Sequence, residues 1–142
     1  MKKVILTLNI ILIGILATAQ EVSIKNLNQA KIEFETEIID YGTIEQNANG
    51  IREFKFTNVG NAPLIISNVQ KSCGCTVPTW PKEPIKPGKS STIKVKYATD
   101  RIGIINKSVT IISNAERGSI VLRIKGKVIT PQTTPLAQEK GK

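Results

Sequence analysis

The chain reads as all-β: a single antiparallel β-sandwich of about seven short strands behind an N-terminal export signal. Three observations predict it. Apolar and polar residues alternate with period two through most of residues 31–129. Turn-forming groups punctuate these runs at regular spacing: Tyr41-Gly42, Asn49-Gly50, Gly60-Asn61-Ala62-Pro63, Pro87-Gly88 and Arg117-Gly118. No amphipathic helical pattern of useful length follows the first 19 residues, which argues against a βαβ fold.

The elements follow in order. Residues 1–19 carry Lys2 and Lys3, an apolar run over 4–16, and the small-residue exit Ala17-Thr18-Ala19. This is the pattern of a cleaved signal peptide, and the run is shorter than the ~20 residues a spanning helix needs. No cysteine stands near the cut to take a lipid, and no later segment is apolar enough to cross a bilayer. The mature protein is therefore expected in the periplasm or outside the cell, with no transmembrane segment. Of the 142 residues, enough remain for one domain with one core.

Residues 20–30 are polar and read as a flexible lead-in. A first pair of short strands is expected at 32–34 and 38–41. In 52–59, Phe54 and Phe56 point one way and Glu53, Lys55 and Thr57 the other. Residues 64–69 form an apolar run expected to be covered on both faces. Ile93, Val95 and Tyr97 are the inner set of 92–97; Val109 and Ile111 anchor 107–113. Ile120, Leu122, Ile124 and Val128 face inward in 119–129. Residues 130–142, with Pro131 and Pro135, read as a disordered tail.

Composition narrows the chemistry. Histidine is absent, so Ser-His and Cys-His nucleophile pairs and His-ligated metals are excluded. The sequence contains no G-x-S-x-G, no phosphate-cradling glycine loop and no acid/base pair of suggestive spacing. No catalytic residue, cofactor or metal is expected, and the chain is read as not an enzyme. The net charge is +9, with Arg52, Lys55, Lys94, Lys96, Lys107, Arg123, Lys125 and Lys127 mostly at outward strand positions. A polyanion or acidic partner could use such a surface, but the cations are dispersed and more simply solvate the outer faces and guard edge strands. Export and a low aromatic content, 4%, argue against nucleic acid.

The distinctive constellation is Cys73-Gly74-Cys75-Thr76, followed by a proline-rich loop holding Pro78, Trp80, Pro81, Pro84 and Pro87. Two cysteines in an exported chain are a disulfide candidate. Residues i and i+2 of an extended chain lie ~6.6–7 Å apart, too far for a bridge without bending, and Gly74 is the residue expected to permit the bend. So short a loop restricts the unfolded chain little, and the bridge is expected to be relatively oxidising. The pair could exchange electrons with other disulfides, hold Cu(I) as two thiolates, bridge two chains, or serve as a local structural staple. A closed zinc site lacks its ligands. Trp80 is expected to cap the sandwich, its indole N–H on a loop carbonyl.

Three stretches together carry a family likeness: residues 54–64 (Phe54 to Leu64), 72–78 around Cys73-Gly74-Cys75, and 84–89 with Pro87-Gly88. With Asp40-Tyr41-Gly42-Thr43-Ile44, Ile105-Asn106-Lys107 and Ser113-Asn114, they resemble an exported bacterial family known as domain of unknown function 1573. The likeness spans about residues 32–129. It implies an immunoglobulin-like sandwich related to the major-sperm-protein and cilium-associated type, folds that generally serve as binding or scaffold modules. Cys73 and Cys75 occupy the family's cysteine positions, and no catalytic residue carries over. The expected role is a non-catalytic binding module for an envelope protein or polymer, with thiol redox or Cu(I) handling by Cys73 and Cys75 as the alternative.

Overall fold

The computed structural model describes residues 28–132. The expected signal peptide, most of the lead-in and residues 133–142 of the expected tail lie outside the described residues. Eight strands form: β1 (Ile32–Phe34), β2 (Ile38–Glu45), β3 (Ile51–Asn58), β4 (Ile66–Lys71), β5 (Thr76–Thr79), β6 (Ser90–Tyr97), β7 (Gly103–Ser113) and β8 (Ser119–Ile129). They make two four-stranded sheets, ordered β1-β3-β6-β5 and β2-β8-β7-β4. The expected inner sets are the buried ones: Phe54, Phe56, Ile93, Val95, Leu122 and Val128 are at most 1% exposed. Alternation sends each set into the space between the sheets, the usual core of a sandwich.

Four details differ from the sequence reading. β5 forms inside the proline-rich stretch, because Pro78 sits on an edge strand where a missing N–H is tolerated. β2 pairs with β8 in parallel, Ile38 beside Arg123 and Glu45 beside Ile129, while every other strand pair is antiparallel. The run 64–69 is covered on one face only. Its sheet is one layer of a two-sheet sandwich, so Ile65, Ser67 and Asn68 face solvent while Leu64, Ile66 and Val69 are buried. Lys107 stands with the inward set of β7, opposite buried Ile124 and between Ile105 and Val109.

The last residues of the expected lead-in are tied to the domain. Ala30 is buried, and its carbonyl accepts the Glu116 N–H at 3.0 Å. Gln29 exchanges bonds with Asn61, its N–H donating to Asn61 Oδ1 at 2.7 Å. Gly60 makes this contact possible, since a Cβ there would overlap the Gln29 carbonyl and the Lys31 amide.

The sheet edges are blunted by their own side chains. β1 is three residues long and β5 four. On β2, Asp40 Oδ1 accepts the Gly42 N–H at 2.7 Å and Thr36 Oγ1 accepts the Ile38 N–H at 3.2 Å. On β4, Asn68 Oδ1 accepts the Val69 N–H at 2.8 Å. Such devices discourage strand addition, which shifts attention from the edges to the ends of the sandwich.

Candidate functional site at the cysteine crossover

The chain passes from the second sheet to the first between β4 and β5, and Cys73-Gly74-Cys75 makes that crossing. The sulfurs of Cys73 and Cys75 are in bonding contact, and their Cα atoms are 5.3 Å apart. That separation is shorter than the ~6.6–7 Å of an extended i, i+2 pair, so the backbone bends as the spacing requires. Gly74 is not what permits the bend. It lacks a left-handed φ, and a Cβ built on it meets nothing within 4 Å.

The two cysteines differ in setting. Cys75 is 6% exposed and belongs to the core, whereas Cys73 is half-buried and packs against it. The Cys75 N–H donates to Cys73 Sγ at 3.2 Å, and Thr76 Oγ1 lies 3.9 Å from the same sulfur. Thr76, fully buried, also donates to the Cys73 carbonyl at 3.2 Å. Both flanks of the loop are pinned: the Ser72 N–H bonds the Ser108 carbonyl at 3.0 Å, and the Ala98 N–H bonds the Cys75 carbonyl at 2.9 Å. The β4–β7 register pairs Lys71 with Val109, and the Ser72–Ser108 bonds extend it by one rung. With the sulfurs in contact neither is a thiolate, so Cu(I) binding would first require reduction. Among the described residues, no three His, Cys, Asp or Glu side chains cluster as metal ligands.

Beside the crossover lies a cleft of about 550 Å³ between residues 47–51 and 96–100. Its walls are joined by the Thr99 hydroxyl on the Ala48 carbonyl at 2.6 Å and by Gln46 Nε2 on the Asp100 carbonyl at 2.8 Å. The floor is set by Gly50, whose carbonyl accepts both the Tyr41 hydroxyl at 2.7 Å and the Tyr97 N–H at 2.9 Å. A Cβ on Gly50 would overlap the Tyr97 carbonyl oxygen. Arg52 lies over the Tyr41 ring, 4.2 Å from its centroid. Register places Ile51, Lys96 and Val77 side by side across three strands, and Ile51 and Val77 are 44% and 55% exposed. Ile51 lies one residue before the expected strand 52–59, and Val77 lies in the stretch expected to be a proline-rich loop, so the sequence reading reaches neither.

Trp80 follows β5 and packs against the core as expected, but its indole N–H is buried without the expected carbonyl. The Lys82 ammonium covers its ring at 3.2 Å from the centroid. Elsewhere the surface cations are partly paired, Lys94 with Glu53 at 3.0 Å and Lys125 with Asp40 at 3.4 Å, in keeping with solvated outer faces. Among the described residues no helix is long and apolar enough to cross a membrane.

Residues 32–128 match the family model described as "Protein of unknown function (DUF1573)". The chain belongs to the DUF1573 family. Among proteins with curated descriptions none matches its sequence. Solved structures similar to this DUF1573 chain include a protein of unknown function from Porphyromonas gingivalis W83, with 17% identity and a TM-score of 0.63 over 76% of this chain and 51% of that one. Another is the ASH/PapD-like domain 7 of human CEP192, 8% identical, TM-score 0.61, over 73% and 89% of the two chains. The secreted serine protease VesC from Vibrio cholerae is 13% identical, TM-score 0.52, over 72% of this chain but 24% of that one. The DUF1573 chain thus spans about half the Porphyromonas structure and about a quarter of VesC. These likenesses bear out the immunoglobulin-like sandwich inferred from the motifs.

Proposed function

We propose that this chain is a non-catalytic, exported binding or scaffold module of the bacterial cell envelope, and that it holds a protein partner at the cysteine-crossover end. The observation that carries this reading is the Ile51–Lys96–Val77 row beside the 550 Å³ cleft. Two exposed apolar side chains flank a cation on a rigid sheet, next to loops pinned by backbone hydrogen bonds. Such an arrangement gives a partner apolar burial with little ordering cost. The blunted edges support the same conclusion, since they leave strand addition a poor alternative. The signal-like N-terminus and the cysteine pair support export. The absence of histidine from the sequence supports a role without acid/base catalysis.

The test is capture from envelope extract at ~0.15 M salt, where exposed charge attraction is largely screened beyond ~8 Å. The expected result is a retained partner that is lost with Ile51→Glu and Val77→Glu together. Val59→Glu, an exposed position just past the far end of β3, should retain it. Capture of nothing by the wild type, or equal capture by all three proteins, would refute the assignment of this face.

A further inference from the structure

We propose that Cys73 and Cys75 form a thiol–disulfide exchange site that oxidises dithiols of protein partners, with Cys73 as the reacting sulfur. This inference stands on the crossover loop and does not depend on the Ile51–Val77 surface.

The argument begins with what the bridge does not do. A bond between residues two apart restricts the unfolded chain little. Hydrogen bonds from Ser72 and Ala98 already anchor the loop on both flanks. The fold therefore has small need of the bridge, and the pair can open without releasing the crossover. The asymmetry of the pair then assigns roles. Cys73 is half-buried on a turn whose Gly74 is exposed with open space around it, which leaves one side open to an incoming thiolate. Cys75 lies in the core at 6% exposure and is shielded from direct attack. The Cys75 N–H, 3.2 Å from Cys73 Sγ, favours negative charge on that sulfur. A stabilised thiolate is a good leaving group in exchange.

The reaction balances with a protein dithiol as co-reactant. A partner thiolate attacks Cys73 Sγ; the Cys73–Cys75 bond breaks, and Cys75 Sγ leaves with the electron pair and takes a proton from water. The partner's second thiolate then attacks the partner sulfur of the mixed disulfide. Cys73 Sγ departs as the thiolate held by the Cys75 N–H. The partner is oxidised to a disulfide, this chain is reduced to the dithiol by two electrons, and the remaining proton goes to solvent.

The experiment mixes the oxidised full chain with a reduced peptide carrying one Cys-x-x-Cys dithiol. Free thiols are trapped with a maleimide at intervals and counted by mass spectrometry. A disulfide-closed Ser-Cys-Gly-Cys-Thr peptide, which has the ring without the fold, is the reference. The expected result is stoichiometric transfer about tenfold faster than the reference. Against a peptide whose single cysteine is capped by glutathione, Cys75→Ala should displace the glutathione and form a mixed disulfide through Cys73 about tenfold faster than Cys73→Ala does through Cys75. Both cysteine variants should keep an intact β spectrum by circular dichroism. If a cysteine variant does not fold, the wild-type rate against the reference peptide decides. A wild-type rate equal to the reference peptide, or a more reactive Cys75, would overturn the proposal.

Discussion

Asn58 is fully buried at the end of β3, and its side chain joins three segments that are far apart in sequence. Its amide donates to the Ala62 carbonyl at 2.8 Å and the Ile85 carbonyl at 2.9 Å. Its Oδ1 accepts the Gly60 N–H at 3.1 Å and the Lys31 N–H at 3.4 Å. Asn58→Ala removes these partners together in a place water reaches poorly, so a loss of about 3 kcal/mol is expected. Denaturant midpoints measure it, and a loss below about 1 kcal/mol would mean the loops hold themselves. Tyr41 is a second residue with a definite consequence. Burial, chiefly, pushes its phenol above the usual tyrosine value of 10.0; Arg52 pulls the other way and Tyr97 adds a smaller push upward. The folded state thus holds this proton more tightly than the unfolded chain. That contribution is intact at neutral pH and is lost as pH rises through the elevated folded value. Melting temperature should therefore fall above about pH 10, and Tyr41→Phe should make the fall shallower even though it loses the bond to Gly50. Parallel alkaline profiles for the two proteins would show that Tyr41 does not control the limb.

At the scale of elements, legibility in the sequence followed period and failed with position. β3, β6 and β8 are readable because apolar residues recur two apart with polar ones between them, as Phe54 and Phe56, Ile93, Val95 and Tyr97, and Leu122 and Ile124 do. β5 was not, since four residues with a central proline carry too little pattern, and only its place at an edge makes Pro78 harmless. The parallel pairing of β2 and β8 was also out of reach. Period reports which face a residue takes and says nothing of which strand lies beside it. The same distinction runs through the site. The cysteine pair is visible in the sequence as a motif. Val77 joins Ile51 beside Lys96 only once β5 exists. Gly74 misled for a related reason, because a glycine between two cysteines suggests conformational need where the backbone has none.

For the whole molecule, stability comes from the interface between the two sheets rather than from charge or cross-linking. Phe54, Leu64, Ile93, Ile105 and Leu122 have no exposed surface, and truncating any such side chain costs about 2–5 kcal/mol in cores generally. The surface ion pairs, such as Lys31 with Glu116 at 3.0 Å, are exposed and contribute little. The bridge between Cys73 and Cys75 closes the shortest of loops and, by chain entropy, contributes at most about 1.5 kcal/mol. Complete reduction should then lower the melting temperature by less than about 8 °C and leave one cooperative transition. Calorimetry of the full chain with and without a strong reductant, with thiols counted before the scan, checks this. A drop of more than about 15 °C, or the loss of cooperativity, would make the bridge a structural staple. The domain could not then open the pair in exchange and remain folded, because the sheets would depend on a bond that the reaction must break.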